Sequence, residues 1–293
     1  MSIVTQNNDR MEWLKDRRKG IGGSDVAAII GINPWQTPLD VYLDKTGQTP
    51  LETPDNPAMY WGRQLEDLVA QEFALRTEKT VQRRNNSYVH PDHEFLRANL
   101  DRYIVGERAV LECKTASEWS KDEWGPNGSN TDTDADCVPM MYLCQVMHYM
   151  TVTGYHHAYL AVLIGGRDYR MYEIPYNEAI AGKLLAKCRS FWKRVIDKCP
   201  PAPVNPKDVE NFFPGKDALE TCATATNEIH GQLARYRELK KGISDKYAEI
   251  DELRTEITGF MGNNSVLVDE EGKTLATWKA SKDKQTRTFR PKY

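Results

Sequence analysis

The period of apolar positions along the chain changes several times, and each change marks an element. The run SDVAAIIG, with Ser24 or Asp25 placed to cap it and Gly31 just past its end, predicts a short helix. A second is expected over about residues 39–45. Over residues 56–76, Trp61, Leu65, Leu68, Val69 and Phe73 fall at helical spacing, which predicts a longer helix. From Tyr88 to Gly106 the text becomes strand-like. RANLDRYIVGERAVLECKT reads as two strands joined at Gly106-Glu107-Arg108. Residues 117–137 are polar, acidic and rich in turn formers, and predict a long surface loop.

A helix follows from Pro139 to about Thr153, then strands HHAYLAVLIG and DYRMYEIP around a Gly165-Gly166 turn. Residues 177–198 form an amphipathic helix carrying Phe191, Trp192 and Val195. CPPAPVNP interrupts the pattern and suggests a boundary: a domain over 1–199, a proline-rich linker over 200–216 and an extension over 217–293 suited to oligomerisation or to binding a partner. In the extension Ile229, Tyr236, Ile243, Ile250 and Ile257 recur every seventh residue, with Leu239, Leu253 and Phe260 as a second line. That is a long helix with a narrow apolar stripe, weakened at Gly231 and Gly242. SVLVDEEGKTLATWKA predicts a β-hairpin, and a basic tail holds Lys279, Lys282, Lys284, Arg287, Arg290 and Lys292.

Composition narrows the function only a little. The 293 residues are 28% charged and 40% hydrophobic, as in an ordinary globular protein. No stretch approaches the roughly 18 apolar residues of a membrane helix. The first twenty residues lack the apolar segment of a secretory signal, so a cytoplasmic location without membrane contact is expected. The six cysteines include no CxxC pair, which argues against zinc or iron–sulfur ligation, and a disulfide framework is not expected in a chain this long and unsecreted. With a net charge of −3, contact with nucleic acid must come from local clusters such as Lys15, Arg17, Arg18 and Lys19, or Arg83 and Arg84.

The chemistry concentrates at Asp101 and Leu-Glu-Cys-Lys 111–114. On a strand Glu112 and Lys114 share a face, and Asp101 on the neighbouring strand comes alongside. Phosphodiester hydrolysis needs such a set: two carboxylates and a backbone carbonyl, that of Cys113, to hold Mg²⁺, and an ammonium to offset developing negative charge. A charged, exposed hairpin would show the same letters. Glu66 shares a helix face with Gly62, Val69, Ala70 and Phe73, poor company for a carboxylate unless it is paired or metal-linked. It reads either as a ligand of a second metal or as a rim glutamate paired with Arg63. Gln145 and Tyr149 lie four apart on one helix face, where Gln145 could orient the attacking water and Tyr149 brace Gln145 or a phosphate. His148, His156 and His157 read as structural. In RRKGIGGSD, Arg18 and Ser24 flank a glycine-rich turn running into a helix, which suits a phosphate cradle, although a plain N-cap explains Ser24 equally well.

Together RRKGIGGSDVAAIIG, WGRQLE, the Asp101/Glu112-Cys113-Lys114 set, VPMMYLCQVMHYM and FWKRV resemble the YqaJ-type viral recombinase family. These phage alkaline exonucleases are related to lambda exonuclease and belong to the PD-(D/E)xK superfamily. The resemblance spans roughly residues 10–200 in order. It implies an α/β, restriction-endonuclease-like core with a mixed central sheet flanked by helices. It implies that Asp101, Glu112 and Glu66 bind metal, that Lys114 is catalytic, and that Gln145 and Tyr149 form the family's QxxxY motif. It places the strand's 5′-phosphate at Arg18 and Ser24 near Asn99. The arginine-to-serine interval is one residue shorter than in lambda exonuclease, which makes Arg17 the alternative to Arg18. The implied activity is Mg²⁺-dependent 5′→3′ degradation of duplex DNA ends, with two metals and Mn²⁺ as a substitute, leaving 3′ overhangs for a single-strand annealing protein. A ring-shaped homo-oligomer, encoded by phage or prophage and acting in the bacterial cytoplasm, is implied as well. Competing expectations are a duplex endonuclease, a CRISPR-adaptation-type nuclease with an iron–sulfur cluster, and a non-catalytic DNA-binding module.

Overall fold

The computed structural model describes residues 2–52, 55–83, 87–131, 136–215, 222–281 and 286–292, with side chains from Arg10 onward. Arg84, Lys282 and Lys284, singled out above for their charge, lie outside the described residues, as do 132–135 of the acidic segment and 216–221 at the edge of the linker. The chain divides into two compact units, Met1–Ala218 and Leu219–Tyr293.

The first unit opens with helices α1 (Ser2–Arg18), α2 (Gly23–Ile29), α3 (Pro38–Lys45) and α4 (Pro57–Thr77). Strands β1 (Val81–Gln82), β2 (Tyr88–His90), β3 (His93–Ala98), β4 (Arg102–Ile104) and β5 (Ala109–Ala116) follow. After them come α5 (Met140–Thr153), β6 (His157–Ile164), β7 (Asp168–Pro175), α6 (Glu178–Ile196) and α7 (Pro206–Phe212). The central sheet has the order β1-β4-β5-β6-β7, while β2 and β3 pair separately. Only β5 and β6 run parallel, from Ala109 opposite His157 to Ala116 opposite Ile164, because α5 makes the crossover between them. The sheet is therefore mixed. The β4–β5 hairpin turns at Gly106, whose φ of +81° suits glycine, and sets Arg102 opposite Leu111.

Helices cover both faces of the sheet. Val69, Ala70 and Phe73 of α4 pack with Leu111 and Cys113 of β5 in one cluster. Val110 packs in another with Val146, Met147 and Met150 of α5. The two-residue alternation of β5 thus turns Glu112 and Lys114 toward α5, with the apolar residues between them against α4. The polar face of the hairpin is an interior face, and Glu112 is only 1% exposed. Of the spaced residues on α4, Trp61 and Leu68 are exposed, so the buried stripe is narrower than the helical spacing suggests.

Three expectations about the connecting segments change. The described residues of the 117–137 segment do not lie loosely on the surface. They contain a 3₁₀ turn (Glu118–Glu123), bury Trp124 and Cys137, and bond to β7 through Met171 N–H to Asn127 Oδ1 at 2.7 Å. Trp124 stacks on Tyr142 with centroids 5.5 Å apart, which draws the segment inward. The stretch read as linker holds α7, capped by Asn205 with Pro206 in its first turn. Its buried Asp208 accepts from Thr37 Oγ1 at 2.9 Å, so α7 belongs to the first unit. In α2 the N-cap is Gly22 and not Ser24 or Asp25. Asp25 sits three residues on and accepts the Gly22 N–H at 2.8 Å, which places Ser24 inside the first turn.

The second unit contains α8 (Asn227–Met261), β8 (Val266–Val268), β9 (Thr274–Ala280) and β10 (Arg287–Pro291). The expected hairpin is β8–β9, but residues 287–291 of the basic tail add a third strand to it. Arg287 lies over the Trp278 ring at 3.7 Å and bonds to the Gly262 carbonyl, which pins that strand.

Candidate active site

Asp101 sits at the mouth of β4 and reaches across the hairpin, where its Oδ2 accepts the Cys113 N–H at 2.9 Å. That bond brings its carboxyl beside that of Glu112. Burial and the Glu112 charge push the Asp101 carboxyl up to about 7. Glu112 Oε1 takes two donors, Lys114 Nζ at 2.5 Å and Gln145 Nε2 at 2.6 Å. Its other oxygen, Oε2, is buried and receives no N–H or hydroxyl donor, while the Asp101 carboxyl lies within hydrogen-bonding reach of the Glu112 side chain. Burial opposes the charge on Lys114, yet Glu112 and Asp101 together hold its ammonium above the ordinary lysine value. The Tyr142 ring, 5.0 Å from Nζ, backs that ammonium.

Gln145 and Tyr149 are buried on α5. Besides its bond to Glu112, Gln145 Nε2 donates to Tyr149 Oη at 2.9 Å, so both donor positions of the amide are used inside the protein. In this arrangement the amide fixes Glu112, and Tyr149 braces the amide. Burial, together with the Glu112 and Asp101 charges, pushes the Tyr149 phenol well above its ordinary value, so it stays neutral. Gly23 explains how α2 comes so close to α5. A β-carbon there would collide with the Tyr149 ring and meet Gln145 Cγ at 3.0 Å. Gly20 likewise lies against the Phe95 carbonyl of β3. These two glycines of RRKGIGGSD serve close packing, a role the sequence reading did not assign them.

Of the two arginines proposed beside Ser24, Arg17 is the one that faces it. Arg17 Nη2 donates to Ser24 Oγ at 3.0 Å, and the guanidinium lies 4.9 Å from the Trp13 ring. A buried pair steers it: Lys45 Nζ reaches Asp25 Oδ2 at 2.7 Å and the Arg17 carbonyl at 3.0 Å. Arg18 turns the other way. It bonds to Asp44 Oδ1 at 3.0 Å and to the Thr49 and Pro50 carbonyls at 2.8 Å each, so its donors are committed to holding the chain after α3. Asn99 is engaged by Ser87 Oγ at 2.6 Å.

Glu66 pairs with neither Arg63 nor the two acids. Its Oε1 accepts from Arg102 Nη1 at 2.7 Å, while Arg63 pairs with Asp55. The buried Arg102 guanidinium also bonds to Asp67 and to the Asp101 carbonyl, tying α4 to the start of β4. Sequence reasoning missed Arg102, whose one signal was an arginine at the phase of β4 that faces the interior. His148 is structural: buried, lowered by that burial, with Nε2 at 2.9 Å from the Arg97 carbonyl. His157 pairs with Glu173, and His156 packs edge-on against Tyr176. Among the described residues no group of three or more His, Cys, Asp or Glu side chains is placed to hold a metal. The buried pair fits a divalent cation on other grounds. Two carboxyls crowd together, one of them with an oxygen that no donor satisfies, and a cation would supply what that oxygen lacks.

A mixed sheet of this order, with paired acids and a lysine on its central hairpin and helices on both faces, is the restriction-endonuclease-like fold of the alkaline exonucleases. The alkaline exonuclease LHK-Exo from Laribacter hongkongensis superposes with a TM-score of 0.52 at 18% identity, covering 64% of this chain and 93% of that one. LHK-Exo in complex with dAMP matches equally. Residues 12–156 match the YqaJ-like viral recombinase domain. The chain is 37% identical over 277 residues to the uncharacterized protein YqaJ of Bacillus subtilis (strain 168), covering 89% of this chain and 84% of that one. The chain belongs to the YqaJ-like viral recombinase family. Among the described residues no helix is long and apolar enough to cross a membrane.

Proposed function

We propose that the protein is a Mg²⁺-dependent 5′→3′ exonuclease acting on the ends of duplex DNA and leaving 3′ single-stranded overhangs. The observation that carries this reading is the buried Oε2 of Glu112, which receives no N–H or hydroxyl donor, beside the Asp101 carboxyl, with Lys114 on the opposite oxygen. Asp101, Glu112 and the Cys113 carbonyl would hold the cation, with Mn²⁺ as a substitute. A bound cation supplies Lewis-acid activation of the phosphoryl group. Lys114 faces the same space and offsets the charge that builds on the phosphoryl oxygens. Gln145 keeps Glu112 from rotating away, and Tyr149 keeps Gln145 in place. Arg17 and Ser24 take the 5′-phosphate of the strand end. Glu66 serves a second cation only when Arg102 releases it.

The dAMP complex of LHK-Exo supports a product of the mononucleotide class. A net charge of −3 gives little long-range attraction to DNA. Processive action is therefore assigned to a ring-shaped homo-oligomer enclosing the duplex, and the overhang to a single-strand annealing protein. The test uses linear duplex DNA labelled 5′ at one end and 3′ at the other, beside a covalently closed circle. Early release of the 5′ label from the linear molecule, with the circle intact, is the expected result. Cutting of the circle would replace this reading with an endonuclease.

A further inference from the structure

Helix α8 runs for 35 residues, on the order of 50 Å, and only Met261 at its end is buried. Ile229, Tyr236, Ile243 and Ile250 each expose about half of their surface, and Leu239 and Leu253 beside them do the same. These side chains occupy the first and fourth positions of a seven-residue repeat, the spacing that feeds one helix into another. A polar helix carrying such a stripe is half of an interface.

Charge identifies the other half. Residues 227–243 hold four cations (Arg235, Arg237, Lys240, Lys241) against two carboxylates. Residues 244–261 hold five carboxylates (Asp245, Glu249, Asp251, Glu252, Glu256) against two cations. The helix is positive in its first half and negative in its second, so a second copy complements it only when turned end for end. We propose that α8 pairs antiparallel with α8 of a second copy of this chain, forming a two-stranded coiled coil about a two-fold axis near residues 244 and 245. In that register Ile229 meets Phe260 of the second copy, Tyr236 meets its Leu253, and Ile250 meets its Leu239. Arg235 flanks its Glu256, a contact the two-fold axis makes twice. A parallel pair would instead set Arg235 against Lys240 of the other helix. The contact lies in the second unit and goes beyond the nuclease reading, so it stands or falls separately from it.

The test is the mass of the full chain in solution, by light scattering or sedimentation, for the native protein and four variants. Ile250→Asp, which sets a carboxylate against Leu239 of the second copy, is expected to reduce the native mass by a factor of two and to leave nuclease activity per chain unchanged. Arg235→Glu and Glu256→Arg are each expected to weaken the association about tenfold, two charge pairs being lost. The double variant Arg235→Glu/Glu256→Arg should return it to within about threefold of native. An unchanged mass with Ile250→Asp overturns the proposal. Tighter association with Arg235→Glu alone overturns the antiparallel register, since that change relieves the parallel clash. Circular dichroism shows whether Ile250→Asp retains α8, and retained helix with no change in mass counts against the pairing.

Discussion

Replacing Asp101 by asparagine is expected to make the protein more stable, not less, when divalent cations are chelated at pH 8. Burial and the neighbouring Glu112 hold the Asp101 carboxyl at about 7 against its ordinary 3.8. A carboxyl raised in the folded state contributes stability that is fully present below about 3.8 and lost as pH rises through about 7. The loss is complete by pH 8 and amounts to something on the order of 4 kcal/mol. For a unit of this size that corresponds to roughly 10 °C in melting temperature. Asparagine keeps an oxygen to accept the Cys113 N–H and presents an amide to Glu112, so it mimics the protonated acid. The assay is thermal unfolding of wild type and Asp101→Asn at pH 5 and pH 8, in EDTA and in Mg²⁺. Wild type should lose stability between pH 5 and 8 in EDTA and recover most of it in Mg²⁺. The variant should melt higher than wild type at pH 8 in EDTA and respond to neither pH nor Mg²⁺ over this range. A variant that melts below wild type at pH 8 in EDTA would refute the reasoning, because the two carboxyls would then not be in conflict.

Other expectations follow from the same geometry. At limiting Mg²⁺, nuclease activity should rise with pH through about 7, and raising Mg²⁺ should move that rise to lower pH, since cation and proton compete for Asp101. Lys114→Met should lower kcat by about 10²–10³-fold, as removal of a charge-stabilising donor does, and should lower the melting temperature in EDTA, because buried Glu112 loses its cationic partner; substantial activity counts against its role. Arg17→Ala should raise KM for 5′-phosphorylated ends more than for 5′-hydroxyl ends. Arg18→Ala should leave that ratio unchanged and cost about 1–3 kcal/mol in stability by freeing Asp44 and two carbonyls. Gly23→Ala should cost about 1–3 kcal/mol through collision with Tyr149 and lower turnover by shifting Gln145, both visible by melting and steady-state rates.

The acid–lysine half of the candidate site was legible in the sequence because its placement rests on local rules. Strand alternation places Glu112 and Lys114 on one face, a glycine turn returns Asp101 to them, and four-residue spacing aligns Gln145 with Tyr149. Their convergence across the sheet was not local, and neither was the burial of the polar face, which α5 creates by packing over β5. Arg18 and Arg17 are neighbours on the same helix. Which of them faces Ser24 depends on where α3 places Asp44, a tertiary fact that no motif spacing encodes. Arg102 escaped notice for a similar reason, since its partners come from a helix about 35 residues earlier. The segment 117–137 looked like open loop because its polar residues outnumber Trp124 and Cys137, yet those two side chains decide where it lies.

Anomalous scattering from crystals of the protein grown with Mn²⁺ tests the central claim most directly. A peak within coordinating distance of an Asp101 carboxyl oxygen and of Glu112 Oε2, lost in Asp101→Asn crystals, is the result expected. A cation bound elsewhere, with Glu112 Oε2 satisfied by a protein donor, would contradict it.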